Sequence, residues 1–457
     1  MTFSRLCAYA LFAFLISPAW SSDLLEVYKL ALQSDPLLRE ADANRLAAME
    51  IRPQARSLLM PSVALTASET DQGQDGLSSQ FGQTGFVDTF SDSDSDQTSY
   101  GVSLIQPVFR WDSWLLLKQA DKVVARSEID YEVVKQAMML RVVARYFDVL
   151  AAQDELESSE ASKEAIKRQL EQAETRFEVG LIAITGVQEA RAAYDTEVAS
   201  EILARRVLAT ARESLREITG VYVDKLEEPG SSLPLMAPEP ADDEAWVNIA
   251  LNQNLQLNAS RIGVQIAKES IKVQKAGRLP TLDLVVQRNE FEADTRQSLT
   301  FPPVAGSIDS PTRSDFTTDV VLLQLNLPIY TGGFRTSKVR EAVYEHRAAR
   351  ERLERIARNT ERQTRDAYLG VISDISIVRA LERALESTET ALKATEAGFE
   401  VGTRTTVDVL DARRELFTAR TNLERGRYDY IINLLNLKQA AGTLTDADLV
   451  EINDWLN

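Results

Sequence analysis

Two aspartates three residues apart, Asp408 and Asp411 in "VGTRTTVDVLDARR" (401–414), are the side chains whose type and spacing best suit chemistry. They follow a glycine turn and fall in the first turns of a helix that starts near Thr405 or Thr406. Carboxylates there complement the helix dipole by about 0.3–1 kcal/mol. Repeated around a symmetry axis, they also form a ring that attracts cations and raises its own pKa values by mutual repulsion. Little else in the chain offers reactivity. His346 is the only histidine and lies in the charged stretch "VYEHRAARERLER", a solvated helix position. Cys7 is the only cysteine. With that histidine read as solvated, no second one and no cysteine beyond residue 7, most triad and zinc chemistry is excluded. No catalytic residue, metal site or cofactor is expected. "SDSDSDQ" (91–97) lacks the glycine and terminal glutamate of a calcium loop and reads as a solvated extracellular loop.

The elements that position the two aspartates must fit a secreted chain. Arg5 precedes the apolar run "LCAYALFAFLISPAW", and Ala19-Trp20-Ser21 has the small-x-small form of a cleavage site, so 1–21 reads as a signal peptide. No later segment reaches the roughly 18 apolar residues of a membrane helix, so any membrane crossing is by strands. A net charge of −18 argues against nucleic acid.

The chain is written twice. Pro61 in "LMPSVAL" meets Pro280 in "RLPTLDL", and Pro107 in "LIQPVFR" meets Pro328 in "LNLPIYT". Phe177-Glu178-Val179-Gly180 meets Phe399-Glu400-Val401-Gly402, and Ala190-Arg191 meets Ala412-Arg413, both at an offset of 222. An internal duplication sets the architecture. Each half has a helix of moderate length (about 24–58 and 243–277), then two strands with apolar alternation. Val63, Leu65 and Ala67 share one face of the first, and Leu282, Leu284 and Val286 of the third. Each strand is expected to run about ten residues, the length that crosses a bilayer at a tilt.

Trp111 to Val179 contains no proline or glycine, and Phe334 to Ala397 contains only Gly370. Each reads as one long helix, about 100 Å at about 1.5 Å per residue. Val378, Leu381, Leu385, Thr388, Leu392, Thr395 and Phe399 step by three and four, a heptad seam. Ala384, Ala391 and Gly398 recur beside it and allow close approach of a partner helix, where Val409, Ala412, Leu416, Ala419, Leu423, Gly426 and Tyr430 repeat the pattern. Each half thus ends in a long helical hairpin with the glycine turn at its tip. The boundaries are a first repeat at 22–220, a proline-rich linker or equatorial segment at 221–242 that runs along the outside, a second repeat at 243–442 and a C-terminal equatorial segment at 443–457.

Four strands do not close a barrel in lipid, where unpaired edge amides cost several kcal/mol each. Two chains would supply eight strands and three would supply twelve. Taken together, "FEVGLIAIT", "FEVGTRTTVDVLDA", "LPTLDL" and "LPIYTGG" resemble the TolC family of outer-membrane exit ducts, from about Leu24 to about Asp454. The resemblance implies a mainly α fold with a membrane β-barrel: a homotrimer with a 12-stranded barrel in outer-membrane lipid and an α-helical periplasmic tunnel. It implies a periplasmic adaptor and an inner-membrane transporter of RND, ABC or MFS type as partners, for efflux or type I secretion.

By the same resemblance, Asp408 and Asp411 line the periplasmic aperture, and the turn residues Val179, Gly180, Leu181, Val401, Gly402 and Thr403 contact the adaptor. The family's entrance lock joins an aromatic hydroxyl and an arginine to an aspartate. Arg404 matches the arginine, but Phe399 replaces the tyrosine and Gly186 the aspartate. Phenylalanine offers no hydroxyl and glycine no carboxylate, so the expectation is a weaker closure, rebuilt through Thr185 or Glu189 as partner of Arg404. The first copy has Gly186 and Glu189 where the second has the two aspartates, which fits one hairpin inside the tube and one outside. The rivals are a periplasmic adaptor with coiled-coil hairpins, against which four bilayer-length strands count, and a carboxylate-using glycan hydrolase, for which no pocket motif is present.

Overall fold

The computed structural model describes residues 23–82, 85–223, 225–228, 230, 233–301 and 306–456; the expected signal peptide lies outside them. The first half runs α1 (Leu24–Ser34), α2 (Pro36–Met49), α3 (Ile51–Ser57), β1 (Ser62–Gly82), β2 (Gly85–Phe109), α4 (Trp111–Glu178) and α5 (Ile184–Thr219). The second repeats the order with α6 (Asp243–Gln253), α7 (Leu255–Ala276), β3 (Thr281–Thr300), β4 (Ser307–Asn326), α8 (Phe334–Glu400) and α9 (Thr406–Ala441), and ends in α10 (Asp446–Asp454). The duplicated strand-strand-hairpin unit is therefore present in both halves.

Three expectations change. The leading helix of each half is broken, at Asp35 and Glu50 in the first and at Asn254 in the second. Pro36 disfavours helical backbone at the residue before it, and Asn254 caps α7, its Oδ1 accepting from the Leu257 amide at 2.9 Å. The strands run 20 to 25 residues rather than about ten. The stretch 91–97 is not a loop but the middle of β2, paired to β1 on one side and to β3 on the other. Its strict Ser/Asp alternation has the strand period of two, and two extended neighbours supply the ladder that polar composition alone does not suggest.

Two compact units result. One (Arg45–Glu128, Ser260–Leu353) holds a four-stranded antiparallel sheet in the order β1-β2-β3-β4. The other (up to Asn44, Ile129–Ala259 and from Glu354) is helical, with Tyr146, Phe147, Ile431, Leu435 and Leu437 fully buried. Phe147 stacks on Tyr428 at 5.1 Å. The 221–242 segment is extended and most of its described residues are exposed, but its carbonyls anchor it to this unit. The Tyr146 hydroxyl donates to the Glu227 carbonyl at 2.7 Å, the Tyr430 hydroxyl to that of Met236 at 3.0 Å, and the Trp246 indole to that of Pro240 at 2.8 Å. Buried hydroxyl and indole groups need partners, and a segment without a ladder of its own has carbonyls to spare.

Candidate functional site

Both hairpin turns are built the same way. Gly180 and Gly402 have φ of 75° and 82°, a left-handed conformation that costs other L-residues roughly 1–2 kcal/mol. At the first turn the Leu181 amide donates to the Arg176 carbonyl at 2.8 Å and Gly180 to Phe177 at 2.9 Å. At the second, Thr403 donates to Gly398 at 2.8 Å and Gly402 to Phe399 at 3.1 Å. These nested bonds form a Schellman cap that satisfies the last carbonyls of α4 and α8. Val179, Leu181 and Val401 stand 66%, 72% and 77% exposed around the two glycines.

The helices that leave the turns differ. At the start of α9 the Thr405 hydroxyl accepts from the Asp408 amide at 3.2 Å, while Asp408 Oδ2 accepts from the Thr405 amide at 2.7 Å and its hydroxyl at 2.9 Å. This is a reciprocal capping box. At the start of α5 the equivalent residues are Ala183 and Gly186, and Ala183 makes no side-chain cap. Bonds from Thr405, backbone amide first and hydroxyl second, hold the Asp408 carboxyl below the usual range, with Arg404 adding a smaller pull. Within one chain the shift is thus opposite to the rise that ring repulsion predicts. Asp411 is exposed and lies 3.6 Å from Arg414, which also reaches the largely buried Glu197 of α5 at 3.4 Å.

The predicted lock residues separate into two places. The Phe399 ring lies under the Arg176 guanidinium, 4.5 Å from centroid to Cζ, so an arginine of the first hairpin stacks on the second hairpin's aromatic. Arg404 folds back on its own turn: a Cβ added at Gly398 would fall 2.8 Å from Arg404 Cγ. Among the described residues no hydrogen bond or ion pair joins Arg404 to Thr185 or Glu189, both exposed.

Sequence reasoning missed Arg176, Glu197 and Arg414, because no local pattern marks a contact between hairpins. It also missed a bond written twice. Arg191 meets Glu174 at 2.8 Å in the first hairpin, and Arg413 meets Glu396 at 2.7 Å in the second, at the same offset of 222. The repeated Ala-Arg pair was its signal. The capping box was legible too, in the spacing of Thr405 and Asp408. Further along, α9 approaches α8 at Gly426, where an added Cβ would lie 3.0 Å from Leu381 Cδ1, and Val378 and Leu423 are buried in the seam. The Tyr428 hydroxyl of α9 donates to Asp154 of α4 at 2.7 Å, and burial pushes the Asp154 carboxyl up to about 6.

A duplicated long-hairpin fold joined to an antiparallel sheet, with twin glycine turns at the hairpin tips, defines a class: the protomer of a membrane duct. The chain belongs to the outer membrane efflux protein family, whose model matches residues 27–221 and 246–443, one copy of the repeat each. It is 37% identical to the outer membrane protein TolC of Vibrio cholerae serotype O1 over 97% of this chain and 95% of that relative. It is 26% identical to the alkaline protease secretion protein AprF of Pseudomonas aeruginosa, over 98% of this chain and 91% of that one. The fold matches the Campylobacter jejuni CmeC outer membrane channel with a TM-score of 0.72 at 16% identity, over 95% of this chain and 89% of that structure.

Proposed function

We propose that this chain is one protomer of an outer-membrane exit duct that carries efflux or secretion cargo from the periplasm to the exterior. The observation that carries the reading is the sheet. β1 and β4 are its two edges, and they run in opposite directions. Among the described helices none is long and apolar enough to cross a membrane, and an open edge in lipid leaves backbone amides unpaired. The β4 edge of one copy fits the β1 edge of the next in an unbroken antiparallel ring, a head-to-tail interface that closes on itself. Three copies give the 12-stranded barrel of the proposed homotrimer, continued in the periplasm by a tunnel of helical hairpins.

In this assembly Asp408 and Asp411 form the ring at the periplasmic aperture, and the exposed turns at Val179-Gly180-Leu181 and Val401-Gly402-Thr403 take the adaptor that links the duct to an inner-membrane transporter. Two contacts hold the hairpins of one chain together near the aperture: Arg176 on Phe399, and Glu197 with Arg414. The pairing of Arg404 with Thr185 or Glu189 is assigned to the junction between protomers. No catalytic step is ascribed to the chain.

The test is reconstitution of the purified protein in planar bilayers. A trimer with cation-selective conductance is expected, with selectivity lowered by Asp408→Asn and Asp411→Asn. Glu197→Ala should raise the resting conductance, and Arg404→Ser should raise it further if that side chain bridges protomers. A folded, water-soluble single subunit would refute the duct itself.

A further inference from the structure

The four strands sort their charges by face. Directly paired residues share a face and successive residues alternate. The row Asp71, Asp96, Asp294, Arg313 crosses all four strands, and the next row on that face is Glu69, Thr98, Glu292, Asp315. Every Asp, Glu and Arg of the described strands lies on this face except Asp283. Asp283 stands at the base of β3, where Arg110 neutralises it with bonds of 3.0 and 2.7 Å. The opposite face is hydroxyl, amide and apolar. Its rows include Thr66, Gly101, Asn289, Thr318 and Ser99, Phe291, Phe316. Ser68 meets Ser99 at 2.8 Å and Ser95 meets Thr295 at 3.1 Å.

Packing shows which face is concave. Along β3 the uncharged-face residues Phe291, Ala293 and Thr295 are half-buried or buried, whereas Glu292, Asp294 and Arg296 between and beyond them are exposed. A Cβ added at Gly101 would lie 2.5 Å from Asn289 Oδ1 and 2.9 Å from Thr66 Oγ1, side chains leaning in from both flanking strands. Such crowding marks the inside of a curve. On the other face Val63 and Leu65, at the apolar base, are 68% and 76% exposed.

Closing a sheet into a barrel turns its concave face to the interior. Resting on the barrel reading of the sheet, we propose that the lumen wall formed by the sheet carries no unneutralised fixed charge, its one carboxylate, Asp283, being paired with Arg110. It is a hydroxyl- and amide-lined bore with Phe291 and Phe316, 4.8 Å apart, as its aromatic pair. The other carboxylates belong to the outer surface beyond the apolar base. This section therefore passes anionic, cationic and neutral solutes without sorting them by charge, and any ion selectivity of the duct arises outside the sheet.

Single-cysteine substitution tests this in the reconstituted full-length protein, since Cys7, the only native cysteine, is outside the strands. An anionic thiol reagent on Ser103→Cys or Thr295→Cys should shift the cation/anion permeability ratio about two-fold or more, as a fixed charge in a narrow bore does. The same reagent on Asp96→Cys, and the exchanges Glu292→Gln and Asp294→Asn, should leave the ratio unchanged. The reverse pattern would overturn the proposal. A second readout needs no conduction: a fluorophore on Val102→Cys should be quenched by brominated lipid and one on Ser103→Cys should not. Absence of conductance in the unmodified protein would count against the duct reading, while the quenching pattern would still decide which face looks inward.

Discussion

The two hairpin turns are one backbone with two kinds of helix start. Each ends a long helix with a left-handed glycine and the same pair of nested bonds. Each carries the same arginine-glutamate brace across its own hairpin. They part three residues after the turn, where Thr405 and Asp408 build a capping box and Ala183 and Gly186 build none. Deeper in the hairpins the first copy joins Lys163 to Glu201 at 2.6 Å, where the second has Leu385 and the buried Leu423. The frame is thus held by backbone geometry, which tolerates little change. Side chains that the frame does not require have diverged.

The largest effect should come from breaking what the turns share. Gly180→Val and Gly402→Val should each cost about 1–2 kcal/mol from the left-handed backbone alone, since nothing lies within 4 Å of an added Cβ at either. Hydrogen exchange at the two turns should therefore show nearly equal losses, and unequal ones would break the equivalence. Next is the difference at the caps. Thr405→Ala should lower the stability of the α9 start by about 1 kcal/mol, and Ala183→Thr with Gly186→Asp should raise that of α5 by a similar amount. Gly186 has room, because an added Cβ meets only Ile182 Cδ1 at 3.5 Å.

Phe399→Ala removes the half-buried ring under Arg176, a cation–π contact of about 1 kcal/mol. It should loosen the second hairpin from the first, read as a rise in resting conductance that Phe399→Tyr does not reproduce. The effects of pH run in opposite directions at two sites. The depressed Asp408 carboxyl contributes to the α9 cap above its unfolded value, and the contribution is lost as pH falls through its folded value. Asp154 is raised to about 6, so the packing around it is most favourable in acid and weakens as pH climbs from the usual carboxylate range through about 6. Thermal unfolding against pH should show the second trend flattened by Asp154→Asn.

Much of the fold was legible because its signals are local. Steps of three and four without proline mark α4 and α8, a glycine followed by a fresh helix start marks each turn, and repeated phrases mark the duplication. Strand length was not legible, since an Asp/Ser run looks like a solvated loop until two neighbouring strands pair with it. The packing of the linker was hidden for another reason: Tyr430 meets Met236 across 194 residues of chain, and nothing near either residue announces the other. The same holds at the candidate site. Asp408 and Asp411 could be picked out by type and spacing, whereas Arg176 over Phe399 exists only once two hairpins are side by side.

The offset of 222 shared by turns, braces and helix starts has a bearing on symmetry. A polypeptide of half this length could close the same ring only by using twice as many copies, and every entrance hairpin in it would then be identical. Fusing two units into one strand of protein halves the rotational order while leaving the geometry in place. Alternate positions become free to specialise, so that a cap or a charge can be altered on one set of hairpins without being imposed on its neighbours.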